Sequence, residues 1–215
     1  MVDRRLLEVP RTARIFVRSD AGSPARDVWF LLHGYGQLAG PFLSSLEALA
    51  RPGRTLVAPE ALSRFYLRRG TGSVGASWMT REERADEIRD TLRYLDRVWA
   101  EVRAGLAAPP ESLTVFGFSQ GGAAAARWAV LGDAPLARLV SWGCPLPPDL
   151  DLAAHSARVK ALRWTFVLGD EDLSIDREAH AAGLVRLAEL GVEAERLRYP
   201  GGHEMDDRLL ALVGE

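Results

Sequence analysis

The stretch VFGFSQGGAAAA, residues 115–126, decides the reading of this chain. It opens as an apolar run and closes as an alanine run, with one hydroxyl, Ser119, between glycines at 117 and 121. The first half has the composition of a buried strand and the second that of a helix packed close to it. A strand that turns directly into a helix holds the residue at the joint in a strained backbone conformation. Side chains two residues before and two after it would collide, which explains glycine at both positions. The strain lifts the hydroxyl above the sheet edge and sets it at a helix N-terminus, where the dipole favours developing negative charge. By itself the Gly-x-Ser-x-Gly spacing is a modest signal. At this chain's own Gly and Ser frequencies, about one chain in ten of this length carries it by chance. The strand before it and the small-residue helix after it separate it from a Gly-rich turn with an incidental serine.

Outward from this joint, short apolar runs bounded by Gly, Pro or Asp predict strands over 13–18, 27–32, 54–58, 112–118, 138–142, 163–168 and 194–199. Longer segments between them predict helices over 42–50, 120–131, 178–190 and 205–213. The clearest helix starts near Thr80, which has capping-box spacing to Glu83. Ile88, Leu92, Leu95, Trp99 and Val102 then recur at helical intervals, and Pro109-Pro110 lies beyond the end. Strands alternating with helices imply an α/β architecture with a mostly parallel sheet covered on both faces. No linker or repeat divides residues 1–215, so one domain is expected. Residues 59–78 lack clear periodicity and carry glycines at 70, 72 and 75, which reads as a lid, a binding loop or a plain surface connection.

A chain of 215 residues can bury a substantial core without disulfides or metals. The net charge of -2 points to neither nucleic acid nor an anionic membrane surface, and no stretch approaches a membrane span, so stable membrane insertion is not expected. Cys144 is the only cysteine, which excludes an internal disulfide and a Cys-rich metal site. The N-terminal residues lack an apolar signal core, and a cytoplasmic protein is the expectation.

A serine hydroxyl is a weak nucleophile and needs a base, and the base needs an orienting acid. At a strand–Ser–helix joint these follow in the order acid, then His, on loops after later strands. His203, in YPGGHEMDD, lies between the last strand and the last helix. His155 and His180 sit in polar, helical stretches and read as solvated, and His33 precedes Ser119 and breaks the order. The acid should follow the strand at 163–168, where GDEDLSID offers Asp170, Glu171, Asp172 and Asp176. Asp172 is preferred, because Gly169 permits the turn and Ile175 offers an anchor; Asp170 is second. The competing reading of this loop is an acidic turn capping the next helix. A tetrahedral intermediate also needs oxyanion donors. The backbone N–H of Gln120 is one, and that of Tyr35, in the loop after WFLL, is the other; the competing reading of His33-Gly34 after a strand is a simple turn.

With these residues in place the chain resembles the α/β-hydrolase superfamily, and within it the phospholipase/carboxylesterase branch that includes acyl-protein thioesterases. The resemblance covers about residues 27–213. It rests on LLHGYG (31–36), GFSQGG (117–122), LVSWGCPLP (139–147), LGDEDLSI (168–175) and GGHEM (201–205). It implies an α/β-hydrolase fold without a large cap domain. It also implies Ser119, Asp172 and His203 as catalytic triad, with Tyr35 and Gln120 as oxyanion hole. SWMT (77–80) falls where the family lines its acyl site, which makes Trp78 and Met79 the substrate-binding expectation, although only Trp78 matches the family's Trp-Phe-Asp. Gln37 stands where the family has an acidic residue, and Leu168 where it has His. These departures lie outside the triad and concern the substrate.

The expected function is a serine hydrolase that cleaves carboxylic esters of small or short-to-medium acyl chains, with no metal or cofactor, as a monomer or homodimer. A lysophospholipase or thioesterase is the nearest alternative. A catalytically silent hydrolase-fold binder is the alternative of another class. Cys144, at a strand end, reads as an inert buried thiol.

Overall fold

The computed structural model describes residues 1–19, 25–68, 70 and 72–215. Along these the chain runs β1 (Ile15–Arg18), β2 (Asp27–Leu32), α1 (Ala39–Ser45), β3 (Arg54–Pro59), β4 (Ser63–Tyr66), β5 (Val74–Ser77) and α2 (Arg84–Ala104). It continues through β6 (Ser112–Phe118), α3 (Gln120–Leu131), β7 (Arg138–Trp142), α4 (Ser156–Ala161), β8 (Arg163–Gly169), α5 (Arg177–Glu189), β9 (Glu195–Tyr199) and α6 (Asp207–Val213). The main sheet is ordered β1-β3-β2-β6-β7-β8-β9. β1 runs antiparallel to β3, and the other pairs are parallel.

Because the strands are buried on both faces, they read as near-continuous apolar runs. Alternate residues feed two cores. Val28, Phe30, Leu32, Val115, Leu139 and Phe166 pack toward α2, α3, α4 and α5. Trp29, Leu31, Leu56, Phe116, Trp142 and Val167 pack toward α1 and α6. The alanines of α3 are there for proximity: a helix lying directly on the central strand has room for little more than a methyl group. The described residues include no separate cap domain.

Three expectations about elements need correction. The Thr80–Glu83 capping box does not form. α2 begins at Arg84, and Glu83 precedes it in a left-handed conformation (φ 48°) with no side-chain cap. The Thr80 hydroxyl donates instead to Glu87, at 2.9 Å. Residues 77–79 are held at the N-terminus of α3, so residues 80–83 are used to reach the helix. The helix placed at 42–50 begins earlier, at Ala39, since Pro41 falls in its first turn, where its missing N–H costs nothing. It breaks at Leu46, and a 3-10 turn covers Glu47–Leu49. Residues 59–78, positions 69 and 71 of which lie outside the described residues, include the antiparallel hairpin β4–β5.

Parallel strands place the loops after β2, β6, β7, β8 and β9 along one edge of the sheet. The sequence-predicted triad and oxyanion residues lie at this edge, whereas Trp78 and Met79 follow β5 of the hairpin.

Candidate active site

Ser119 is one of two non-glycine residues with positive φ among those described, at φ 53° and ψ −123°. The strain is held from both sides. The Ser119 N–H donates to the Trp142 carbonyl at 2.8 Å, and the Gly122 N–H donates to the Ser119 carbonyl at 2.8 Å. A Cβ on Gly117 would lie 2.3 Å from the Gly121 carbonyl oxygen, and one on Gly121 would lie 2.1 Å from that of Leu32. Backbone occupies both spaces, so only glycine fits.

His203 lies in the loop between β9 and α6. Its Nε2 is 2.8 Å from Ser119 Oγ, and its Nδ1 is 2.6 Å from Asp172 Oδ2. The imidazole stacks at a tilt on Phe118, with centroids 5.0 Å apart. Its loop is anchored underneath: Trp142 Nε1–H donates to the Glu204 carbonyl at 2.9 Å, and the Tyr199 hydroxyl lies 2.8 Å from the Gly202 carbonyl. Backbone bonds join this loop to the acid loop, from the Asp170 N–H to the Tyr199 carbonyl and from the Glu171 N–H to the Gly201 carbonyl, each 2.9 Å.

The four acids of the GDEDLSID loop have different surroundings. Asp172 is 2% exposed and faces His203. Asp170 points away and accepts from Arg198 Nε at 2.6 Å. Asp176 caps α5 by accepting the Ala179 N–H at 2.9 Å, so the helix-capping reading holds for that residue. Glu171 is exposed. Burial pushes the Asp172 carboxyl upward, but hydrogen bonds from Ser174 and His203 outweigh it and hold the group below the usual aspartate range. Ser174, which sequence reasoning missed, accounts for two of these bonds. Its N–H donates to Asp172 Oδ1 at 2.9 Å and its hydroxyl donates to the same oxygen at 2.5 Å.

Gln120 is the first residue of α3, and its backbone N–H has no intrahelical acceptor. Its side chain does a second job that the sequence did not announce. The carboxamide donates to the Met79 carbonyl at 2.8 Å and accepts the Trp78 N–H at 2.9 Å. The Tyr35 loop is a turn closed by the Gln37 N–H to the Gly34 carbonyl (3.2 Å) and by the Gly34 N–H to Gln37 Oε1 (2.7 Å). The hairpin braces it, since the Gly36 N–H donates to the Ala76 carbonyl and the Tyr35 ring stacks on Phe65 at 5.0 Å.

The side chains of Trp78 and Met79, expected to line an acyl site, are packed in the core at 2% and 9% exposure. Trp78 Nε1–H donates to the His33 carbonyl at 2.7 Å. His33 is wholly buried. Its Nε2 accepts the Ala61 N–H, its Nδ1 meets the Gly34 carbonyl, and burial depresses its pKa. It is thus a neutral strut beneath the loop. Of the other histidines, His155 is exposed, while His180 is half-buried edge-on to Phe166 instead of solvated. Cys144 is buried, and burial pushes its thiol up to about 12. The described residues include no group of three or more His, Cys, Asp or Glu arranged to hold a metal ion, and no helix long and apolar enough to cross a membrane.

The chain is similar across nearly its whole length to several solved structures. It matches acyl-protein thioesterase 2 of Zea mays at 18% identity, covering 94% of this chain and 96% of that one, with a TM-score of 0.73. For esterase PE8 the identity is 20%, the coverage 95% and 97%, and the TM-score 0.73. For the phospholipase/carboxylesterase from Dyadobacter fermentans the values are 18%, 96% and 97%, and 0.70. At such identities the likeness speaks for the fold, which is that of the α/β-hydrolases. No curated protein matches the chain. The model of the family described as Phospholipase/Carboxylesterase matches residues 14–215. The chain belongs to the phospholipase/carboxylesterase family.

Proposed function

We propose that this hydrolase-family chain is a serine esterase that cleaves carboxylic esters of small or short-to-medium acyl chains through an acyl-enzyme. The observation that carries the reading is the continuous relay from Ser119 Oγ through His203 to Asp172, at 2.8 and 2.6 Å.

In this reading His203 Nε2 takes the Ser119 proton as Oγ attacks the acyl carbon. Asp172 stays ionised, fixes the tautomer with the proton on Nδ1, and stabilises the imidazolium. The backbone N–H groups of Tyr35 and Gln120 receive the oxyanion. Collapse of the intermediate passes the proton from His203 to the departing alkoxide and leaves Ser119 acylated. Water, deprotonated by the same imidazole, attacks the ester carbonyl and releases the acid. Trp78 and Met79 act as buried backing for the site: their backbone grips Gln120, and their side chains brace His33 and the core. The whole chain acts as one domain.

The experiment is labelling of folded protein with a fluorophosphonate, beside a panel of p-nitrophenyl esters of increasing chain length, a lysophospholipid and a thioester. Labelling at Ser119 with turnover highest on the shorter esters is the expected result. Highest turnover on the lysophospholipid or the thioester would move the assignment to lysophospholipase or acyl thioesterase. The absence of both labelling and turnover would leave a hydrolase-fold binder.

A further inference from the structure

We infer that Ser174 is a positioning residue of the triad, its hydroxyl locking the Asp172 carboxylate and the His203 ring into one arrangement. This rests on the serine-esterase reading and deepens it.

The hydroxyl of Ser174 lies between the two groups. It is 2.5 Å from Asp172 Oδ1 and 2.8 Å from His203 Nδ1. The proton inventory leaves one consistent pattern. An ionised carboxylate can only accept, so the Ser174 O–H donates to Oδ1. The lone pairs of Oγ then face Nδ1, which must carry the proton if Nε2 is to accept from Ser119. The Nδ1–H is therefore shared between Asp172 Oδ2 at 2.6 Å and Ser174 Oγ at 2.8 Å. Three consequences follow. Oδ1 is occupied twice by Ser174, through its N–H and its O–H, so Oδ2 is the oxygen left for the imidazole. The ring is held against rotation at two points on its Nδ1 side. The tautomer with the proton on Nε2 would set an unprotonated Nδ1 against Asp172 Oδ2, and the Ser174 hydroxyl could meet that Nδ1 only by giving up its bond to Oδ1, so this tautomer is disfavoured.

Asp172 and Ser174 lie on the turn after β8, and His203 comes from the loop after β9. The hydroxyl is thus a side-chain tie between these loops, added to the backbone bonds that join them. Ser174 itself is solvent-exposed. A purely local role in shaping the turn would be served by its backbone N–H, which every substitution except proline retains. The role proposed belongs to the hydroxyl.

The test compares Ser174→Ala, Ser174→Thr and Ser174→Val with the wild type on p-nitrophenyl acetate, from mildly acidic to mildly basic pH. Fluorophosphonate labelling is followed in parallel. A hydrogen bond to a charged group is worth enough to lower kcat about ten-fold in Ser174→Ala, with KM within about two-fold, because the residue touches the triad and not the substrate. The Thr variant keeps most of the activity and the Val variant, of the same shape, does not. With one donor removed, the Asp172 charge is less dispersed and holds the imidazolium more firmly, so the acidic limb of kcat/KM moves to higher pH in Ala and Val and stays in place in Thr. Should Ser174→Ala not fold, the Thr–Val pair carries the comparison. Wild-type kcat and an unmoved limb in Ser174→Ala, or equal activity in Thr and Val, overturn the assignment while wild-type labelling leaves the esterase reading standing. A wild type that neither labels nor turns over esters overturns both.

Discussion

Gly143 packs against the imidazole of His203. A Cβ at position 143 would stand 3.1 Å from Cε1 and 3.2 Å from Nδ1, and the residue has a φ of 62°. Its N–H donates to the Val167 carbonyl at 2.8 Å, so the backbone cannot simply withdraw. Gly143→Ala is expected to act twice. A left-handed alanine costs about 1–2 kcal/mol of stability, read as a lowered midpoint in urea. The ring must give by a few tenths of an ångström, which should lower kcat by roughly three- to ten-fold, less than a full ångström of misplacement would cost. A variant with full turnover would show that the ring tolerates displacement and that the close contact is incidental.

Asp172 and Asp170 are two residues apart and have separate duties. Asp172→Asn should lower kcat by about four orders of magnitude, as loss of the triad acid does through the wrong His tautomer. Asp170→Asn breaks an exposed pair with Arg198 and should leave turnover within about three-fold. Rates at matched folded concentration decide it, and the reverse ranking would move the acid to Asp170.

The same carboxylate links stability to acid. Asp172 is held below the usual aspartate range in the folded chain, so its contribution is fully present above that range and is lost as pH falls through the depressed folded value. Asp172→Asn should flatten this acid-side fall in stability, measured by urea titration at a series of pH values. An acid limb unchanged from the wild type would mean that other carboxylates control it.

Gln120 offers a case where stability and chemistry separate. Truncation to Ala leaves the Trp78 N–H without its side-chain acceptor and the Met79 carbonyl with the Ser77 hydroxyl as its side-chain donor, and should cost about 1–3 kcal/mol. The backbone N–H proposed for the oxyanion survives. Gln120→Ala should therefore lose more in its denaturation midpoint than in its fluorophosphonate labelling rate. The opposite balance would give the carboxamide a direct role in the reaction.

Cys144 should be silent in the native protein. Its thiol is pushed up to about 12 by burial, so thiolate is scarce at neutral pH, and the side chain is nearly inaccessible. Ellman's reagent is expected to react slowly with folded protein and fully after denaturation. Prompt reaction in the native state would reopen cysteine chemistry at this strand end.

Much of the fold could be read because its signals are local. β6 and α3 have the expected boundaries, 112–118 and 120–131, since an apolar run, two glycines and an alanine run state the joint within consecutive residues. Thr80 shows the limit of such reading. Its capping spacing was present, but Gln120, 41 residues beyond Met79, holds the preceding segment, and that tether moved the helix start to Arg84. The β4–β5 hairpin escaped notice because its strands are four residues each and its register is set against the Tyr35 loop.

The site divides the same way. The chain by itself determined a strained serine at a strand–helix joint, a histidine before the last helix, and a loop with four carboxylates. Which carboxylate turns inward, and that Ser174 stands beside it, is decided where the loops after β8 and β9 bond to each other. His203 meets Asp172 across 31 residues and Ser119 across 84. Strain at a joint is enforced by neighbours in the chain, whereas a hydrogen-bonded relay is enforced by packing that brings distant loops to one sheet edge.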